Sequence, residues 1–113
     1  GSVNDATFGP TLMFGLGGIF VEVMKDVTFK VAPIDEAAAL DMQSEIKSAK
    51  ILQGARGELP RDQKALANVL AHYSYMVYDL NDEIAESDAN PVIVYEDGKG
   101  VMVVDARIIL TKK

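Results

Sequence analysis

The chain has 113 residues, of which 49% are hydrophobic and 25% are charged, and its net charge is −6. This length suits one domain with a modest core, and the acidic balance disfavours nucleic acid as a partner, because a phosphate-backbone binder needs a basic face. The absence of cysteine excludes a disulfide framework, a thiolate zinc site and a cysteine nucleophile. No apolar run approaches the roughly 20 residues that cross a bilayer, so we expect no membrane partner. The absence of cysteine is compatible with the cytoplasm, where we expect the protein to be.

The first two residues, Gly1 and Ser2, are interpreted as a tag remnant. Residues 3–113 are then predicted to form a single domain, and we expect it to be a fragment of a larger protein.

The first third of the chain predicts strands. Residues 11–14 form a short apolar run that is typical of a buried strand, and the glycine-rich residues 15–18 predict a loop with no helix after it. Residues 19–24 predict a second strand. Residues 27–32 predict an antiparallel return strand, because apolar and polar residues alternate in them. Residues 3–10 are polar and predict no regular element.

Two helices are predicted in the middle of the chain. Asp35 is a suitable N-cap for the first helix, which should continue along one apolar stripe to about residue 53, where Gly54 can adopt a left-handed cap. Asp62 should cap the second. Its predicted buried stripe consists of Leu66, Val69, Leu70, Tyr73, Val77 and Leu80.

Residues 84–95 and 101–110 predict two final strands joined by a glycine-bearing turn. The whole pattern therefore predicts an α+β fold, in which a mostly antiparallel sheet of about five strands carries two helices on one face.

Oxygen-bearing side chains stand at the ends of two apolar runs. Asp88 and Asn90 precede the run 92–95, and Asp105 follows the run 101–104. Carboxylate and amide oxygens on neighbouring rigid strands are suitable ligands for a magnesium–phosphate site. Aspartate and asparagine also favour strand ends and turns, so the spacing leaves both interpretations open.

Four collinear segments resemble one family. Residues 8–23, 54–62, 86–91 and 104–108 are similar to the C-terminal ATP-grasp subdomain of ADP-forming acyl-CoA (acetyl-CoA) synthetases, which are related to the succinyl-CoA synthetase β subunit. The resemblance implies an acid–CoA ligase that interconverts acyl-CoA, ADP and phosphate with a carboxylic acid, CoA and ATP. It also implies Mg²⁺ and ATP/ADP as cofactors.

The resemblance assigns expected roles to particular residues. It places the metal ligands at Asn90 and Asp105, and it places the catalytic acidic residue at Asp88, which is shorter than the glutamate usual there. Nucleotide and phosphate contacts are expected from Gly17, Gly18, Arg56 and Arg107, and Glu22 is a possible cation-facing residue. For Arg56 and Glu22 an ordinary surface position remains the alternative, and the two glycines could instead belong to a plain strand connection. Arg107 could pair with Asp105 or Asp88 and orient it, or it could be a surface strand residue. His72, the single histidine, is predicted to be structural or solvated, because it lies in the middle of a helix.

Several parts of such an enzyme are absent from this chain. The N-terminal ATP-grasp half and the CoA-binding and ligase domains or subunit are the expected partners, together with nucleotide. We therefore expect the isolated chain to be incompetent for turnover. The alternative is a non-catalytic interaction or regulatory module that retains the fold, for example within a fusion protein.

Overall fold

Short strands lie at both ends of the chain, and the longer helices lie in its middle. The computed structural model describes residues 1–112, except for the side chain of Arg56. Within these residues the elements are, in order, β1 Ser2–Asp5, β2 Gly9–Gly15, α1 Gly18–Glu22, β3 Val27–Val31, α2 Glu36–Glu45, α3 Ala49–Gln53, a 3-10 turn Ala55–Gly57, α4 Gln63–Asp79, β4 Ile84–Ala89, β5 Val92–Val94, β6 Val101–Val103 and β7 Ala106–Leu110. No helix in this range is both long enough and apolar enough to cross a bilayer.

Five of the described strands form one antiparallel sheet in the order β3-β2-β1-β4-β7. The short strand β1 is central, because its residue Ser2 pairs with Leu12 of β2 on one side and with Ser87 of β4 on the other. Strands β5 and β6 form a separate two-stranded ribbon. The predicted antiparallel sheet of about five strands is therefore confirmed.

Helices α2 and α4 pack against each other and against β2, and this contact encloses the core. Leu12 of β2 and Met42 of α2 are almost completely withdrawn from water, and Val77 of α4 lies beside them. The core cluster consists of Leu12, Ala32, Ile34, Ala39, Met42, Ala67 and Val77. The prediction of two main helices on the sheet is confirmed, while the short helix α1 was not predicted.

The predicted strand at residues 19–24 is wrong, because this segment folds into α1 and a turn. The backbone N–H groups of Val23 and Met24 both donate to the Ile19 carbonyl, and the Asp26 N–H donates to the Phe20 carbonyl. These bonds close helical turns that a strand cannot make. The expectation that no helix follows the glycine-rich segment is wrong for the same reason.

The first predicted helix is divided in two, since α2 ends at Glu45 and α3 begins at Ala49. The carboxylate of Asp26 accepts hydrogen bonds from the N–H groups of Lys47 and Ser48, at 2.6 and 2.8 Å, and from the Ser48 hydroxyl at 2.5 Å. The Lys47 and Ser48 N–H groups therefore bond to Asp26, more than 20 residues earlier, and not to carbonyl groups of a continuous helix.

The predicted caps are correct. Asp35 accepts from the Ala38 N–H at 2.8 Å and Asp62 accepts from the Ala65 N–H at 3.1 Å, so each side chain satisfies an N-terminal donor of its helix. Gly54 ends α3 with φ of 96° and ψ of 61°, which is the expected left-handed conformation.

The remaining differences concern strand boundaries and one helix face. Residues 3–10 were predicted to contain no regular element, but the first of them belong to β1, Ser2–Asp5. Each of the last two predicted strands is divided, at 90–91 and at 104–105. On α4, Leu66 and Val77 are buried, but Leu80 is 39% exposed. The other predicted stripe residues, Val69, Leu70 and Tyr73, are half-buried.

Candidate functional site

An open cleft of about 450 Å³ lies beside the start of β1. The central strand begins at Ser2, whereas its neighbours β2 and β4 continue past it to Gly15 and Ala89. The cleft occupies the space between these two strand ends, and α4 and the glycine-rich segment form its other walls. The half-buried stripe residues Val69, Leu70 and Tyr73 face this cleft, which explains why they are not fully buried.

Asn90 and Asp105 lie side by side at one end of the sheet. The last paired residues of β4 and β7 are Ala89 and Ala106, and just beyond them the Asn90 N–H donates to the Asp105 carbonyl at 2.9 Å. Both residues are exposed, and Asn90 also lines the cleft. The division of the predicted strands therefore falls at the two predicted metal ligands.

The chemical types of the donor atoms at this strand end suit a magnesium ion. Asp105 Oδ1 accepts a hydrogen bond from the Ala106 N–H at 2.9 Å, and within the described residues neither Asp105 Oδ2 nor the Asn90 side chain has a hydrogen-bond partner. An amide oxygen and a carboxylate oxygen are hard ligands, and Mg²⁺ commonly takes one or two protein ligands together with water and phosphate. Residues 1–112 contain no group of three or more histidine, cysteine, aspartate or glutamate side chains placed to hold a metal, so an all-protein cage is not present in this part of the chain.

Asp88 is committed to an ion pair rather than left free. The Arg107 Nε donates to Asp88 Oδ2 at 3.3 Å, and Arg107 Nη2 lies 3.2 Å from the same oxygen and 3.9 Å from Glu86 Oε1. The pair results from register, because Asp88 and Arg107 are direct partners in the β4–β7 ladder. Arg107 therefore orients the carboxylate beside Asn90, which is one of the two alternatives that the sequence left open.

The amino group of Gly1 lies in the floor of the cleft near Asp88. It donates to the Met13 carbonyl at 2.8 Å, and the Met13 N–H donates back to the Gly1 carbonyl at 2.8 Å. Burial lowers the pKa of this amino group, and the nearby Asp88 carboxylate acts in the opposite direction. Gly1 and Ser2 are thus integral to the sheet, while their interpretation as a tag remnant stays a prediction.

The glycine-rich segment forms the rim of the cleft. Gly17 and Gly18 have φ of 80° and 53°, and a Cβ added to either would meet no atom within 4 Å. Their open surroundings allow a ligand to approach the backbone closely. Gly15 differs, because a Cβ there would lie 2.8 Å from Val21 Cγ2 and 2.9 Å from the Asp26 carbonyl oxygen. Glu22, predicted in a strand, instead ends α1 and lines the cleft.

A family model described as an ATP-grasp domain matches residues 1–110. The chain belongs to the ATP-grasp family. The match covers nearly the whole length, so the resemblance found from the four sequence segments is confirmed.

Relatives of this ATP-grasp chain include ADP-forming CoA ligases. It is 56% identical over 110 residues to the β subunit of ADP-forming acetate–CoA ligase II of Pyrococcus furiosus, a match covering 97% of this chain and 47% of the relative. It is 50% identical over 108 residues to the ADP-forming 4-hydroxybutyrate–CoA ligase of Nitrosopumilus maritimus, covering 96% of this chain and 15% of that protein. The chain thus spans about half, or less, of the relatives it matches.

Solved structures share the fold of this ATP-grasp chain. A crystal structure from Pyrococcus horikoshii superposes with a TM-score of 0.93 at 50% identity, covering 99% of this chain and 47% of the other. Acetyl-coenzyme A synthetase 1 of Ca. Korarchaeum cryptofilum, in complex with coenzyme A and Mg-AMPPCP, gives a TM-score of 0.88 at 49% identity, covering 97% of this chain and 50% of the other.

His72 does not line the cleft, and the side chain of Arg56 lies outside the part of the structure that is described. His72 is exposed on α4, and its Nδ1 lies 2.8 Å from the carbonyl oxygen of Asn68 in the preceding turn, which agrees with a structural or solvated side chain. The expected contact of Arg56 with phosphate stays a prediction, because the Arg56 side chain is not described.

Sequence reasoning missed the hydroxyl groups beneath the cleft. Ser2, Tyr73 and Ser87 come from three different elements and meet there. The one signal in the sequence was Ser87 itself, because it places a polar side chain on the inward face of a strand directly before Asp88.

Proposed function

We propose that this chain is one half of the nucleotide site of an ADP-forming acyl-CoA synthetase. In this proposal Asn90 and Asp105 hold Mg²⁺, and the cleft provides one wall of the ATP/ADP site. The parent protein interconverts acyl-CoA, ADP and phosphate with a carboxylic acid, CoA and ATP in the cytoplasm. The observation that supports this most strongly is the 2.9 Å backbone hydrogen bond that brings the two candidate ligand residues together at an open strand end.

The residues around the metal site have separable roles in this proposal. A bound Mg²⁺ neutralises charge that develops on a transferring phosphoryl group. Asn90 and Asp105 fix the ion's position, while Arg107 holds the Asp88 carboxylate next to them. Gly17 and Gly18 leave the rim open enough for phosphate to approach the backbone. Asp88 is the candidate catalytic carboxylate, and Glu22 is a second acidic group on the same cleft.

The cleft requires partners to become a complete site. It is open and mostly apolar on this chain, and an effective nucleotide site encloses its ligand and excludes water. We propose that the other ATP-grasp half closes the cleft and supplies the remaining nucleotide contacts, and that CoA binds to a further domain or subunit. Exposed and uncommitted ligand oxygens favour this catalytic interpretation over a non-catalytic module that retains the fold.

The proposal is tested by substitution in the full-length parent, assayed for ATP formation from acetyl-CoA, ADP and phosphate. Asp105→Ala should reduce turnover by at least about a hundredfold, because electrostatic stabilisation of this kind is worth several kcal/mol. Asp97→Ala is the matched control, since this exposed aspartate lies in the distant β5–β6 turn. The control and His72→Gln should both retain nearly full turnover. An active Asp105→Ala enzyme, or an inactive His72→Gln enzyme, would contradict the assignment.

The half-site nature of the chain has its own test. Calorimetric titration of the isolated chain with Mg-ATP should give millimolar affinity or no signal, because the adenine contacts and the enclosure are supplied elsewhere. Micromolar binding would show that the nucleotide site is complete within these residues.

A further inference from the structure

Three hydroxyl groups meet at the cleft, on the strand that leads to the candidate metal ligand Asn90. The Ser87 Oγ of β4 lies 2.5 Å from the Ser2 Oγ of β1 and 2.5 Å from the Tyr73 hydroxyl of α4, and the Tyr73 hydroxyl lies 3.4 Å from the Ser2 Oγ. Ser2 and Ser87 are buried. Each hydroxyl carries one proton and can also accept, so a closed ring satisfies all three groups.

This ring joins three elements at a place where apolar packing is sparse. The cleft separates α4 from the end of β4, and Tyr73 contributes to the cleft wall while its hydroxyl reaches the floor. Hydrogen bonds restrict position and direction more strongly than apolar contact across an open space. The ring of hydroxyl groups therefore fixes the position of β4 relative to α4 at Ser87.

The position of Ser87 connects the ring to the metal site. Ser87 directly precedes Asp88 and lies three residues before Asn90 on the same strand, and its buried side chain meets the Tyr73 hydroxyl of α4. A movement of Ser87 would be transmitted to both residues, because β4 is bonded to β7 through Asp88 and Arg107.

We propose that Tyr73, through Ser87, is a positioning residue for the magnesium ligand Asn90. This inference rests on the proposed function. Mg²⁺ demands nearly ideal octahedral geometry, so the affinity for the ion depends on how closely its ligands are held in place. Groups that orient metal ligands without touching the metal commonly change affinity when they are removed.

The test uses the full-length parent and measures the Mg²⁺ concentration that gives half-maximal turnover. Tyr73→Phe and Ser87→Ala should each raise this concentration by about tenfold, while turnover at saturating Mg²⁺ should change less than about twofold. The double variant should be no worse than either single variant, because both partners of one hydrogen bond are then absent. Tyr78→Phe is the matched control, because Tyr78 is an exposed tyrosine on the same helix.

A purely structural ring would give a different result. Tyr73→Phe would then lower the melting temperature and leave the half-saturating Mg²⁺ concentration unchanged, which would overturn the inference. The Asp105→Ala enzyme distinguishes this failure from failure of the proposed function. If Asp105→Ala is inactive as expected but Tyr73→Phe shows wild-type Mg²⁺ dependence, only the positioning role is wrong. If Asp105→Ala is fully active, the metal site and the positioning role fail together.

Discussion

The closed core and the open cleft of this domain use similar residues for opposite purposes. At the core, Leu12 and Met42 are almost completely buried between the sheet and α2. At the cleft, Leu70 and Tyr73 pack against the core on one side but keep part of their apolar surface exposed to the cleft on the other. Because one helix, α4, contributes Val77 to the core and Leu70 to the cleft wall, the same apolar stripe both stabilises the fold and lines the candidate site.

This difference shows that an apolar stripe predicts the direction of a helix face better than it predicts complete burial. A stripe residue becomes buried only where another element covers it. Beside the start of β1 no described element fills the space between the ends of β2 and β4, so the stripe faces a cleft there.

The largest expected effect compares one leucine from each region. Leu12→Ala should lower the free energy of unfolding of the isolated chain by about 2–5 kcal/mol, the range for truncating a fully buried leucine. Leu70→Ala should cost about 1–2 kcal/mol, because only part of its surface is withdrawn from water. Urea denaturation of both variants measures the difference. Equal costs would show that the cleft wall is as well packed as the core.

A second comparison uses two glycines with positive φ. A Cβ on Gly54 would lie 2.6 Å from the Glu58 carbonyl oxygen, whereas a Cβ on Gly98 would meet no atom within 4 Å. Gly54→Ala should therefore cost about 1–3 kcal/mol, and Gly98→Ala about 1 kcal/mol from the left-handed conformation alone. Thermal unfolding of the two variants separates the cost of the steric clash at Gly54 from the cost of placing alanine in the left-handed conformation. A smaller effect at Gly54 than at Gly98 would contradict this account.

The smallest expected effect is on how stability depends on pH at acidic pH. The Ser48 hydroxyl, with the N–H groups of Lys47 and Ser48, lowers the pKa of Asp26. A lowered pKa in the folded state means that the stabilisation is present above the unfolded value of about 3.9 and is lost as the pH falls toward the folded value. Asp26→Asn should therefore reduce stability at pH 7 and weaken its decline below about pH 4. Urea titrations at pH 7 and pH 3 check this, with the exposed Asp97→Asn as the control.

The elements that the sequence predicted correctly depend on local signals. The caps at Asp35, Asp62 and Gly54 each involve residues within a few positions, and the alternation in residues 27–32 is a local pattern. The break between α2 and α3 could not be found in this way, because its cause is the carboxylate of Asp26, which lies more than 20 residues earlier in the chain. The segment 19–24 has branched side chains that favour a strand, but its hydrogen bonds close a helical turn after Gly18.

The candidate site was predictable in its residues but only partly in its arrangement. Polar residues at the ends of apolar runs indicated Asn90 and Asp105, and the structure brings their backbones together. The ion pair of Asp88 with Arg107 depends on the register of β4 and β7, and the hydroxyl ring depends on α4 crossing behind β1 and β4. Neither relation can be obtained from spacing along the chain, because each joins elements that are separated in sequence.

The central claim is that Asn90 and Asp105 share one cation at the end of the sheet. The most direct measurement is a crystal structure of the full-length parent grown with Mn²⁺ in place of Mg²⁺ and with a non-hydrolysable ATP analogue, in which anomalous scattering locates the metal. We predict a peak bridging the Asn90 side-chain oxygen and the Asp105 carboxylate at about 2.0–2.2 Å, close to the distance for a hard oxygen-ligated ion of this size. A nucleotide-bound metal that contacts neither residue would contradict the account.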